Sequence, residues 1–166
     1  MGCLSPLLNK FLKYTLKKMK IIIIDSFKTL DKLVAIEVMK YELKTWEESD
    51  PSSGKIQIWW NNQCNSWSKW AGDGRDGTIW TPSQNIENAW EVVSEVYKTH
   101  EFTLEYGWID NPSPHWHCHL SFWDVMAETP KLSICVASLL SVGILVKPDI
   151  KFKPFWECWY LDTKLN

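Results

Sequence analysis

The period of the apolar positions changes several times along the chain, and each change marks an element. Leu30, Leu33, Val34, Val38 and Tyr41 recur at three- and four-residue spacing, with Lys28, Lys32 and Lys40 between them. That pattern predicts a helix capped by Ser26 or Thr29 and running to about Leu43. Residues 47–54 (EESDPSSG) are turn formers and break it. In 55–60, Ile56 and Ile58 alternate with Lys55 and Gln57, which reads as a short strand. Residues 61–77 are polar and glycine-containing and read as a loop punctuated by Trp67 and Trp70, with 78–80 ending a hairpin partner.

A second helix follows Pro82-Ser83, with Asn85 as its cap and one apolar stripe of Ile86, Ala89, Trp90, Val93, Val96 and Tyr97. Glu87, Glu91 and Glu95 repeat every four residues on another face. Like charges at that spacing repel slightly, so the ridge does not serve helix stability; it is a solvated face or an acidic contact surface. Residues 102–108 and 115–123 read as two strands around Asp110-Asn111-Pro112-Ser113-Pro114, where the prolines forbid continued pairing. Thr129 caps a third helix with Pro130 at its first position, and Gly143 closes it. Leu132, Cys135, Val136, Leu139 and Leu140 form its apolar stripe, and the small Ser133, Ala137, Ser138 and Ser141 allow close approach to a sheet. The tail, 150–161, carries Phe152, Phe155, Trp156, Trp159 and Tyr160 and supplies another strand or a cover. Helices with one apolar stripe need a sheet to bury it against. The expected fold is therefore α+β, an α-β-α layered sandwich in the order α-β-β-α-β-β-α around a mainly antiparallel sheet. The expected division is a basic and apolar extension at 1–25, a sandwich domain at 26–146 and an aromatic extension at 147–166 packing on it.

Charge narrows the function classes. Eighteen basic against 20 acidic side chains leave a net charge of −2, which argues against a dedicated nucleic-acid binder. It equally disfavours an acidic mimic of nucleic acid. Five scattered cysteines (Cys3, Cys64, Cys118, Cys135, Cys158) without a CxxC pair read as free thiols in a reducing bacterial cytoplasm. Lys10, Lys13, Lys17, Lys18 and Lys20 interrupt the apolar amino end, so no 18-residue membrane span exists there. Met1-Gly2-Cys3 resembles an acylation signal, but Pro6 stands where Ser or Thr is wanted. This segment is either a basic amphipathic helix touching a membrane surface or an extension upstream of a start at Met19.

Three segments resemble one family. These are 30–39 (LDKLVAIEVM), 81–93 (TPSQNIENAWEVV) and 127–140 (AETPKLSICVASLL), and their order and spacing are similar to the phage ABA sandwich domain. The resemblance covers roughly residues 28–146. It implies an α-β-α sandwich from a phage or prophage of Gram-positive bacteria, with no catalytic residues to carry over. What is special to this chain is then expected in the tryptophan-rich loop, the histidine strand and the two extensions.

His115, His117 and His119 alternate along one strand and so share a sheet face, opposite Trp116, Cys118, Leu120 and Phe122. Neighbouring imidazoles, roughly 7 Å apart by strand rise, can share a metal, whereas the outer pair at about 13 Å cannot. A carboxylate would have to come from Glu101, Glu105 or Asp124; without one, the face is a half-exposed, water-bonded surface. Residues 71–77 (AGDGRDG) imitate a calcium loop but lack its third oxygen position and closing Glu, and read as a turn. No P-loop, GxSxG, HExxH or dinucleotide fingerprint occurs. Twelve tryptophans are the compositional outlier, and Trp59, Trp60, Trp67, Trp70 and Trp80 gather near the loop. They divide between core, a protein-binding hot spot and a stacking platform for a small ligand.

The expectation is a non-enzymatic phage accessory protein that needs no cofactor and binds a bacterial host or defence protein through Trp67, Trp70, Glu87, Glu91 and Glu95. Its alternative is a sponge-like module for a small nucleotide, held by Trp60, Trp67, Trp70, Lys69 and Arg75. A weaker one is a metal-dependent enzyme using His115, His117 and His119. A homo-oligomer stays open.

Overall fold

The computed structural model describes residues 18–47, 55–62, 66–70, 79–107, 115–160 and 163–165. The segments at 1–17, 48–54, 63–65, 71–78 and 108–114 lie outside them. With them go Cys3, Cys64, Arg75, the calcium-like turn and the prolines at 112 and 114.

Strand β1 (Lys20–Ile24) leads into α1 (Phe27–Leu33), which continues as a π-helical turn, Val34–Val38. Ser26 is the cap: its hydroxyl accepts the Thr29 amide at 3.2 Å. The helix ends short of Leu43, because Lys40 adopts φ 57° and turns the chain into β2 (Tyr41–Glu47). Tyr41 fits the helical spacing and the strand alternation equally well, which explains the overrun. β2 pairs antiparallel with β3 (Lys55–Asn61), and β3 with β4 (Ser66–Trp70). The expected loop at 61–77 thus contains a strand, in which aromatic β-propensity outweighs polarity.

After α2 (Ile86–Val96) come β5 (Phe102–Gly107), β6 (His115–Leu120) and β7 (Trp123–Ala127). The expected single strand at 115–123 is broken at Ser121, whose φ of 54° turns the chain back on itself. Phe122 consequently sits 60% exposed in the turn instead of in the core. Helix α3 (Pro130–Ser141) is capped as its sequence requires, with the Thr129 hydroxyl accepting the Leu132 amide at 3.2 Å. Gly143 follows at φ 85°, a left-handed position that suits glycine. β8 (Ile144–Pro148), β9 (Trp156–Tyr160) and β10 (Thr163–Leu165) complete the described chain.

The fold is α+β. Its main sheet is antiparallel in the order β10-β9-β7-β6-β5; β1 and β8 form a parallel pair, and β2-β3-β4 a meander. α3 lies across β6 and β7, while α1 with its π turn and α2 pack against α3. Residues 132 to 140 of α3 are all buried. Its apolar residues share one cluster with Cys118, Leu120, Val125 and Cys158 of the sheet. At roughly 1.5–3 kcal/mol per buried large side chain, this interface dominates the stability of the fold. Cys118, Cys135 and Cys158 are free and buried. Burial pushes the Cys158 thiol up to about 12 and raises the other two, so all three are inert core residues. Among the described residues, no helix is long and apolar enough to cross a membrane.

Candidate functional site

The two faces of β6 have opposite chemistry. Cys118 and Leu120 point into the core beneath α3. Residues one position away point to the other face, where His117 is 3% exposed and His119 is half-buried. The Ser121 turn brings β7 back so that Asp124 stands directly opposite His119 and Met126 opposite His117. Asp124 Oδ1 lies 3.4 Å from His117 Nδ1 and 3.6 Å from His119 Nδ1. The two imidazoles are nearly parallel, with centroids 6.1 Å apart and planes at 18°. One ligand atom from each of the three residues falls within 4.8 Å of the other two. On the far side of His119, Glu105 Oε2 lies 4.0 Å from Nε2.

His115 stands apart from this group. Its ring packs on Phe155, with centroids 4.7 Å apart. Of the carboxylates weighed from sequence, Asp124 joins the histidines directly and Glu105 approaches from behind. Glu101 stays at the entrance to β5, where its carbonyl accepts the Ser121 amide at 3.0 Å.

A second feature lies on α2. Asn85 Oδ1 accepts the Glu87 amide at 2.8 Å and caps the helix. The buried stripe is Ala89, Val92, Val93 and Val96. The helix is therefore rotated toward Val92 relative to the stripe read from sequence. Ile86, Trp90 and Tyr97 are left outside at 40%, 46% and 67% exposure. On an ideal helix these three lie within about 40° of one another, so they form one ridge. Trp90 also meets Phe102 of β5 edge-on, with centroids 6.0 Å apart. The acidic residues beside this ridge are partly engaged. Glu91 accepts the Trp80 indole N–H at 3.1 Å and Glu95 pairs with Lys98, while Glu87 is exposed.

The tryptophans separate in the same way. Trp59 and Trp80 are core, and Trp80 meets Tyr41 edge-on at 5.8 Å. Trp60 is half-buried with the Lys44 ammonium 4.3 Å above its ring. Cross-strand register sets Trp67 opposite Trp60, Lys69 opposite Trp59 and Trp70 opposite Ile58. Arg75 is outside the described residues.

The model of the phage ABA sandwich domain matches residues 32–139, well over half of the chain. The chain belongs to the phage ABA sandwich domain family. No curated protein and no solved structure matches it. The family match runs from within α1 to within α3. β1, β8, β9 and β10 lie beyond it, yet β1 pairs with β8 and β9 extends the main sheet from β7. The phage-associated domain therefore carries the histidine strand, Asp124 and the α2 ridge inside its matched span.

Sequence reading missed the α2 ridge because an apolar residue beside a buried stripe looks like part of it. Val92, equally apolar and on the opposite flank, was the available signal.

Proposed function

We propose that this ABA sandwich protein is a non-enzymatic accessory protein of a phage or prophage. It binds a bacterial host protein in the cytoplasm and inhibits a defence system, with the outer face of α2 as its contact. The observation that carries this reading is the exposed Ile86, Trp90 and Tyr97 ridge next to the exposed Glu87. Large aromatics kept in solvent at helical spacing cost solubility and fit a helix-in-groove contact, in which tryptophan and tyrosine are the residues that concentrate binding energy. Membership in a phage domain family supports the setting.

The test is phage plating on bacteria that carry individual defence systems, with and without the protein. Wild type is expected to restore plating by at least tenfold on one of them. Trp90→Ala with Tyr97→Ala should lose that restoration, and Tyr97→Ser alone, at the most exposed position of the ridge, should weaken it while the purified variant keeps its melting temperature. Full restoration by the double variant would remove α2 as the contact. A second reading, a small-nucleotide module, draws on the Trp60 and Trp67 register pair and on the cation at Lys44. It requires Trp67→Ala to weaken nucleotide binding by roughly fivefold or more, since one stacked base contributes about 1–3 kcal/mol.

A further inference from the structure

We propose that His117, His119 and Asp124 form a binding site for one divalent metal ion of the zinc class. The donor set is two imidazole nitrogens and one carboxylate oxygen, which suits a borderline ion such as Zn²⁺. The spacing supports the same assignment. Ligands 2.0–2.2 Å from a tetrahedral ion stand roughly 3.3–3.6 Å apart. Asp124 Oδ1 sits 3.4 and 3.6 Å from the two Nδ1 atoms, within that ligand spacing, and in the metal-free protein it shares a long hydrogen bond with His117 Nδ1 that an ion would replace. Two of the three separations thus match ligands around an ion, and all three ligand atoms lie within 4.8 Å of one another.

The surroundings complete the arrangement. His117 is almost wholly buried and fixed in a strand interior, so its ring has little freedom to turn away. His119 and Asp124 are 38% and 25% exposed, which leaves the fourth position open to a water molecule. When His119 Nδ1 holds the ion, Nε2–H faces Glu105 Oε2 across 4.0 Å, too long for a hydrogen bond but on the side from which a carboxylate orients a ligating ring once its exposed side chain closes in. Glu105 is a positioning residue and not a ligand. The site uses the sheet face away from α3 and involves no residue of the α2 ridge, so it stands or falls separately from the proposed host contact.

The full chain, stripped with a chelator and dialysed free of it, is titrated with Zn²⁺ alone by calorimetry near neutral pH. One ion per chain is expected, with a rise in melting temperature on binding. His119→Ala and Asp124→Asn should each weaken binding by at least about 100-fold while the metal-free proteins melt as wild type does; Glu105→Gln should weaken it by about 10-fold. Substituted Co²⁺ should give a tetrahedral spectrum without a thiolate charge-transfer band, which excludes cysteine ligands. Failure of the wild type to take up Zn²⁺, unchanged affinity in both ligand variants, or a thiolate band would each overturn the assignment.

Discussion

Helices α2 and α3 begin alike and end up in opposite environments. Each is capped by a side-chain oxygen that the sequence announces, Asn85 for α2 and Thr129 for α3. α3 is then buried over nine consecutive residues, with the sheet on one side and α1 and α2 on another. α2 buries four side chains and keeps Ile86, Trp90 and Tyr97 in solvent. Counting apolar residues barely separates the two, six of 11 in α2 against seven of 12 in α3. The small residues of α3 do better: Ser133, Ala137 and Ser138 are all buried and let neighbouring elements approach. Ser133 and Ser138 keep their hydroxyls satisfied by bonding the carbonyls of Pro130 and Cys135, at 2.9 and 2.8 Å.

The largest effect should come from α3. Leu139 is fully buried in the common cluster, and Leu139→Ala should cost about 3–5 kcal/mol, read as a lower urea midpoint at unchanged slope. A loss under about 1 kcal/mol would mean that α3 is not the centre of the core.

Next in size is Asp31, at the joint between the helices. Its Oδ1 accepts the Ser83 amide at 2.8 Å just before α2, and burial raises its pKa to about 6 from 3.8. A folded-state value above the unfolded one means that the native state binds the extra proton. The Asp31 contribution is therefore largest below about pH 4 and declines as pH rises to 6, by on the order of 2–3 kcal/mol. Asp31→Asn keeps the acceptor for Ser83 and should flatten that part of the stability–pH curve. An unchanged slope between pH 4 and 6 would assign it to other groups.

The caps offer a direct comparison. Asn85→Ala and Thr129→Ala should each cost about 1 kcal/mol by denaturant titration, because capping is local and independent of how deeply the helix is buried. A cost at Thr129 several times that at Asn85 would show burial amplifying the cap. The smallest effect belongs to the α2 ridge, where Tyr97→Ser should change stability by less than about 0.5 kcal/mol. A larger loss would mean that the ridge packs against its own chain and is not a contact surface.

Much of this layout was readable in advance. Ser26, Asn85, Thr129, Pro130 and Gly143 fix helix ends through hydrogen bonds and φ preferences that span only a few residues. Alternation of His117 and His119 with Cys118 and Leu120 likewise follows from strand geometry alone. What escaped the reading were the events that reverse the chain without Gly or Pro, at Lys40 and at Ser121. The second of these created β7 and decided the site, since only the returning strand brings Asp124 opposite His119.

Taken by itself, the sequence determined the α+β class, the family, the helix caps and the shared face of the two histidines, because each is a matter of local period, local bonding or motif order. Tertiary structure alone decided which carboxylate meets those histidines, which side of α2 faces water, and that β1 and β9 pair with strands distant in sequence. Such adjacencies arise when distant segments compete to bury the same surface, and the outcome depends on the whole core and not on the pattern of any one element.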